Sequence, residues 1–262
     1  MRSNTSVPRV LVVQNGAAGG PRRLRDWLTE DGVGTEVVHA YEGESLPADL
    51  GAYDALIVLG GGAMPDDTVK MPWLAQTRVL ADQALAEGTP YLGICLGGQL
   101  LAQAAGGTVE AECGAPELGS TRLTLREPAR GDRLFAGLPP RPTAIERHVD
   151  RVTELPPDAV WLAESDDCPY QAFRCGENAW GLQFHPEVDA ERVREWLPEP
   201  IREAGFDPEE IVERADRDEP EAAVAWRELT RRFAEVVRGG TPVKSAVLRS
   251  PGGDPRTPSR AG

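Results

Sequence analysis

The sequence predicts an α/β fold: a mostly parallel sheet covered by helices on both faces, with an antiparallel strand extension and C-terminal helices. Three observations lead there. Short, largely apolar runs at residues 9–13, 55–59 and 90–94 read as strands buried on both faces. Stretches of helical period alternate with those runs. Past residue 120 or so, polar and apolar residues alternate, as they do in antiparallel strands.

The elements follow in order. After the strand at 9–13, Pro21 suits the first turn of a helix, and Leu24, Trp27 and Leu28 give it an i, i+3, i+4 face. Gly32 and Gly34 end it, and residues 35–39 form the next strand. The third strand, 55–59, runs into Gly60, Gly61 and Gly62. A helix over 73–87 is expected to pack through Trp73, Leu74, Val79, Leu80, Ala84 and Leu85. The strand at 90–94 leads straight into a helix at 96–105, closed by Gly106 and Gly107. Further strands are expected at 120–125, 143–148, 159–163, 171–174 and 180–184. Helices are expected at 190–197, 208–215 and 221–238, the last packing through Val224, Leu229, Phe233, Val236 and Val237. Residues 239–262, rich in Gly, Pro, Ser and Arg, read as a disordered tail. There is no internal repeat.

Composition narrows the function. A chain of 262 residues suits one large domain or one domain with an appendage. The net charge of -14 argues against nucleic acid as a partner. The sequence lacks an apolar run long enough to span a bilayer, and its start has no signal-peptide core, so a cytoplasmic location away from membranes is expected. Cys95, Cys113, Cys168 and Cys175 are irregularly spaced, with no C-x-x-C. Neither a disulfide framework nor, with only His39, His148 and His185 to join them, a metal site is expected. No cofactor is expected either.

The most informative segment is Gly93-Ile94-Cys95-Leu96-Gly97-Gly98-Gln99. A buried strand enters it and a helix leaves it. A side chain held at such a turn projects above the sheet edge, and small neighbours let the two backbone arms approach. Cys95 also lies at a helix N-terminus, where free N–H groups and the helix dipole favour thiolate, the reactive form. An isolated Cys here would read as a small buried hydrophobe; the flanking glycines turn the reading to a nucleophile. Far away in sequence, Leu182-Gln183-Phe184-His185-Pro186-Glu187 puts a histidine at a strand end with a carboxylate two residues on. An imidazole there can take the thiol proton, and the carboxylate can fix its tautomer. On its own, this pattern reads equally as a histidine capping a loop. A tetrahedral intermediate needs two N–H donors. Leu96 would supply one. The Gly60–Gly62 loop, otherwise an ordinary turn, can supply the other.

Together LGGG (59–62), GICLGGQLLA (93–102) and LQFHPEV (182–188) resemble the class I glutamine amidotransferase domain, and more narrowly stand-alone proteins related to the glutaminase domain of GMP synthase. The resemblance runs from about residue 9 to 197. It implies a flavodoxin-like sheet in a domain at 1–200, followed by a helical extension at 201–238 and the tail. It implies hydrolysis of the glutamine side-chain amide, with Cys95 attacking, His185 moving protons and Glu187 holding His185. Gln99 matches a position that contacts glutamine. Asp150, in His148-Val149-Asp150, would bind the substrate's ammonium, although it also reads as a turn carboxylate. Where the family often has Gly-Gly-Pro, this chain has Gly-Gly-Gly-Ala-Met, so either Gly61 or Gly62 could carry the second donor. Gly98 stands where many relatives have His.

Three functions fit. The first is a glutaminase feeding ammonia to a synthetase. With no P-loop and no G-x-G-x-x-G in the sequence, that synthetase would be a separate protein. The second is a hydrolase of γ-glutamyl peptides or amides using the same triad. The third is a non-catalytic binding protein on this fold, against which the intact triad argues.

Overall fold

The computed structural model describes residues 7–239. The elements are β1 (Arg9–Gln14), α1 (Arg22–Glu30), β2 (Gly34–His39), β3 (Ala55–Val58), α2 (Leu74–Glu87), β4 (Tyr91–Ile94), α3 (Leu96–Ala104), β5 (Thr108–Glu110), β6 (Glu117–Arg122), β7 (Thr124–Leu125), β8 (Thr143–His148), β9 (Arg151–Glu154), β10 (Val160–Glu164), β11 (Ala172–Cys175), β12 (Ala179–Leu182), α4 (Ala190–Arg194), α5 (Pro198–Glu203) and α6 (Pro208–Gly239). The central sheet has eight strands in the order β2-β1-β3-β4-β12-β11-β10-β7. The first five are mutually parallel and the rest antiparallel, so the flavodoxin-like half and the antiparallel extension share one sheet. Two small ribbons, β5–β9 and β6–β8, stand apart from it.

Alternation along the strands builds two cores. Val10, Val12 and Ile57 face one side, with Leu24 and Leu28 of α1 and Trp226, Leu229 and Phe233 of α6. Leu11, Val13, Leu56 and Val58 face the other, with Leu74 and Leu80 of α2 and Leu100 and Leu101 of α3. Strands covered on both faces must be apolar throughout, which is why these runs stand out in the sequence. A third cluster, of Ile145, Val193, Trp196, Ile201 and Ile211, joins β8 to α4, α5 and the first half of α6.

Several expectations are corrected. Val79 is 51% exposed and Val224 72% exposed, so neither packs. In α2 the buried stripe runs through Leu74, Thr77, Ala81 and Ala84. Thr77 fits there because its hydroxyl donates to the Trp73 carbonyl at 3.0 Å. Thr230 does the same in α6, bonding Trp226 O at 2.8 Å. Each threonine satisfies its own polar atom and takes a core place that residue type alone gives to valine. The two helices expected at 208–215 and 221–238 are one, running through Pro220. Ile211 and Ala215 before the proline, and Ala222, Ala225 and Trp226 after it, are all buried, so packing on both sides holds one axis despite the lost N–H. The strand expected at 120–125 divides into β6 and β7, while β5, β9 and α5 were not foreseen. The tail expected at 239–262 lies outside the described residues, apart from Gly239 at the end of α6. Among the described residues no helix is long and apolar enough to cross a membrane.

Candidate active site

Cys95 sits between β4 and α3 with φ 51° and ψ −109°, a left-handed backbone that side chains rarely adopt. Hydrogen bonds and close backbone packing impose it. The Cys95 N–H donates to Leu182 O of β12 at 2.7 Å, and Gln99 N donates back to Cys95 O at 2.9 Å. Around the turn the backbones nearly touch. A Cβ on Gly93 would run into the Gly97 carbonyl, and one on Gly97 would run into the Val58 carbonyl of β3. Glycine is required at both by close approach. Tyr91 fixes the same corner, its hydroxyl donating to Gly97 O at 2.8 Å.

His185 comes from the segment just after β12. Its N–H donates to Ile145 O of β8 at 2.8 Å. The ring before it, Phe184, lies 4.6 Å from the Trp226 ring of α6. Its Nδ1 lies 2.7 Å from Glu187 Oε1, and both side chains are largely buried. Arg23 of α1 donates to Pro186 O at 2.8 Å and pairs with Glu219 of α6, which also accepts from Ala190 N. The His-Pro-Glu turn is thus tied down by both helices on one face of the sheet. Burial alone would lower the His185 pKa, but the charge of Glu187 and hydrogen bonding with Cys95 and Glu187 hold it well above its ordinary value. The imidazolium beside the sulfur is the partner a thiolate needs.

The structure therefore brings Cys95 together with His185 and Glu187 from two distant stretches of chain. Leu96 begins α3 immediately after the cysteine. Gly60 is the loop glycine nearest the pair: a Cβ there would lie 2.9 Å from His185 Cε1 and 3.5 Å from Cys95 Cβ. Gly61 packs on Leu96 and Asn15, while a Cβ on Gly62 would meet nothing within 4 Å. Asn15 braces this loop by donating to Leu59 O at 2.7 Å and accepting from the Trp73 indole at 2.9 Å. Gln99 is buried, and its Nε2 donates to Asp150 O at 2.9 Å and Gln183 Oε1 at 3.2 Å. The Asp150 carboxylate accepts from Glu112 N at 2.9 Å.

Sequence reasoning missed three neighbours. Gln183 Nε2 lies 3.6 Å from Cys95 Sγ; its place inside the LQFHPEV segment, one residue from an apolar strand, was the available signal. Glu117 accepts from Gln171 Nε2 at 2.7 Å and Ser165 Oγ at 2.6 Å and lies 3.0 Å from His148 Nε2. Glu146 is fully buried beside them. The expectation that potential metal ligands do not converge is corrected in one respect. Ligand atoms of Glu117, His148 and Cys168 lie within 4.8 Å of one another. They come from three separate stretches, which local spacing could not reveal. All four cysteines are free thiols.

The family model for glutamine amidotransferase class-I matches residues 21–199. The chain belongs to that family. It is 47% identical over 168 residues to the GMP synthase [glutamine-hydrolyzing] of Porphyromonas gingivalis, covering 64% of this chain and 30% of the relative. It is 42% identical over 104 residues to the enzyme of that name from Streptococcus pyogenes, covering 38% of this chain and 19% of the relative. The chain thus spans less than a third of the curated relatives it matches. Among solved structures, a glutamine amidotransferase of Thermotoga maritima superposes with a TM-score of 0.79 at 27% identity, covering 88% of this chain and 99% of that one. One from Methylobacillus flagellatus gives 0.77 at 29%, covering 89% and 96%. Cys95, His185 and Glu187 all fall within the residues that the amidotransferase model matches.

Proposed function

We propose that this chain hydrolyses the side-chain amide of L-glutamine through a glutamyl thioester on Cys95. The thiolate adds to the amide carbon. The resulting oxyanion is held by the Leu96 N–H and by a second donor from the Gly60–Gly62 loop. Gly61, which packs against the Leu96 side chain, or Gly62 carries that donor. When the tetrahedral intermediate collapses, the C–N bond breaks and His185 gives its proton to the departing ammonia. The neutral imidazole then takes a proton from water, which attacks the thioester and releases glutamate and the thiol. Glu187 keeps Nδ1 protonated and the ring in register throughout. The amino-acid end of glutamine rests against the wall formed by Gln99 and Asp150.

The observation that carries this reading is the strained Cys95 backbone, held by three strands, with the His185–Glu187 pair beside it. A buried structural thiol needs no such backbone. Ammonia passes to a separate synthetase. In support, the Porphyromonas gingivalis relative is a GMP synthase [glutamine-hydrolyzing], of which this chain matches under a third. Purified protein incubated with glutamine, with and without proteins that co-purify with it, is expected to release ammonia and glutamate in equal amounts. Cleavage of γ-glutamyl peptides or amines without turnover of free glutamine would overturn the amidotransferase reading in favour of a γ-glutamyl hydrolase.

A further inference from the structure

Two residues before His185, Gln183 brings to the sulfur an amide that the proposed reaction does not use. Its side chain is buried, and its backbone N–H donates to Gln171 O at 2.9 Å. Its Nε2 lies 3.6 Å from Cys95 Sγ, within reach of an N–H···S bond. The residue before it, Leu182, accepts the Cys95 N–H at 2.7 Å. One stretch of chain thus holds the backbone of the cysteine, its sulfur and, through His185, its proton partner.

Which end of the Gln183 amide faces the sulfur follows from a chain of hydrogen bonds. The oxygen and nitrogen of a side-chain amide have nearly the same shape and differ in what they can bond. The chain starts at Asp150 O, a backbone carbonyl, which can only accept. The Gln99 atom 2.9 Å from it is therefore the amide nitrogen. That nitrogen lies 3.2 Å from one end of the Gln183 amide, which must then be the oxygen. The nitrogen of Gln183 is left for Cys95. Asp150 is itself pinned, because its carboxylate accepts from the Glu112 N–H at 2.9 Å. Gln99 and Gln183 are each 3% exposed, so little water competes for these bonds.

We propose that Gln183 donates a hydrogen bond to the Cys95 thiolate and that Gln99 fixes the orientation in which it does so. Gln183 touches the reacting atom and is a catalytic residue in that sense. Gln99 acts on the sulfur through it, as a positioning residue, in addition to facing the substrate. The bond serves the sulfur twice in each cycle. It holds the thiolate before attack. It holds it again when the thioester C–S bond breaks and the electron pair returns to sulfur. A hydrogen bond to an ionised acceptor is about twice as strong as one between neutral groups, so the bond favours these charged states over the thioester between them. The amide has no proton to give up near neutral pH, which leaves His185 as the proton carrier.

The inference deepens the proposed function and rests on Cys95 as its nucleophile. Iodoacetamide alkylates thiolates and has no amino-acid end, so an effect of Gln99 on its reaction does not arise from glutamine binding. Alkylation of Cys95 in the full chain is followed across pH by mass spectrometry of the peptide that carries it. The proteins compared are the parent, Gln183→Met, Gln99→Met and the double variant. Methionine nearly keeps the volume of glutamine and removes the amide. The charged groups that act with Cys95, His185 with its Glu187 and His148, are unchanged in all four. Gln183→Met should raise the pH of half-maximal alkylation by about one unit. Gln99→Met should raise it too, and the double variant no further than Gln183→Met alone, because both substitutions break the same bond. A Gln183→Met profile that superimposes on the parent overturns the inference, and so do shifts that add in the double variant. Where a methionine variant does not fold, as read by circular dichroism, Gln183→Asn and Gln99→Asn, which draw the amide back by one methylene, run the same comparison. Glutamine turnover by the parent with unshifted variant profiles would overturn this inference alone. Shifted profiles without glutamine turnover would overturn the proposed function alone. A Cys95 that is inert in the parent would overturn both.

Discussion

Gly97→Ala sets helix propensity against backbone packing, and the structure says which wins. Alanine inside a helix is favoured over glycine by about 1 kcal/mol. At this position, however, a Cβ would lie 2.7 Å from Val58 C and 2.9 Å from Val58 Cβ, besides overlapping the Val58 carbonyl oxygen. Ordinary carbon–carbon contact is roughly 3.5–4.0 Å, so α3 must lift from β3 by about 1 Å. Its obstacle is strand backbone in the middle of the sheet, with no flexible side chain to swing away. Overpacking of this kind costs about 1–3 kcal/mol and sometimes more. The upper end applies here, leaving a net loss of about 2 kcal/mol after the propensity gain. For a chain of this size the melting temperature should fall by roughly 4–8 °C. Cys95 directly precedes α3, so the same shift carries the sulfur away from His185. A misplacement near 1 Å lowers turnover by about 100-fold. Thermal unfolding followed by circular dichroism reads the first effect, and ammonia release from glutamine the second. Gly62→Ala is the control: a Cβ there would meet nothing within 4 Å, and stability should stay within about 0.5 kcal/mol of the parent. A Gly97→Ala protein melting at or above the parent, with full activity, would refute the close-approach reasoning.

Other expectations concern the triad, the core and the buried histidine. Glu187→Gln replaces a charge-assisted bond worth about 1.5–3 kcal/mol, so kcat should fall about 10- to 100-fold with little change in KM; an unchanged kcat in steady-state assays would remove Glu187 from the triad. A glutamine-like diazoketone should label Cys95 covalently with loss of dinitrogen, and labelling that persists in Cys95→Ala would end the nucleophile assignment. Trp226→Ala empties the space beside Phe184 and leaves Thr143 O without its indole donor; a loss of about 3–5 kcal/mol is expected in urea unfolding, and a loss below 1 would mean that α6 is not part of the core. His148 has its folded pKa raised from 6.5 to about 10. The stability it contributes is fully present below pH 6.5 and is lost as pH rises through 10. The urea midpoint should therefore decline over that window in the parent and decline less in His148→Gln; parallel declines would contradict the buried imidazolium.

Much of the fold was legible because doubly covered strands must be apolar throughout. The runs at 10–13 in β1 and 55–58 in β3 have no polar residue to blur them, and that of β4 has only the tyrosine at its start. The elbow was legible for a related reason: only glycine fits at Gly93 and Gly97, so the close approach is written in residue type. Where polar atoms are satisfied internally, type misleads. Thr77 and Thr230 took core positions expected of Val79 and Val224 because their hydroxyls bond one turn back. The helices expected at 208–215 and 221–238 are one helix running through Pro220, since tertiary packing on both sides outweighs one missing N–H. The His-Pro-Glu turn gained meaning only beside the elbow. Its supports, Arg23 and Glu219, come from α1 and α6, and no spacing announces such a pairing. Glu117, Glu146 and Cys168 were invisible for the same reason: each is an ordinary residue locally, and only the fold places them around His148.

The central claim is that Cys95 turns over glutamine with His185 and Glu187. The most direct measurement is ammonia release from L-glutamine by the parent and by Cys95→Ala at equal concentration, with folding of both checked by circular dichroism. The account predicts multiple turnovers in the parent and none above background in the variant. Equal ammonia release from both proteins would contradict it.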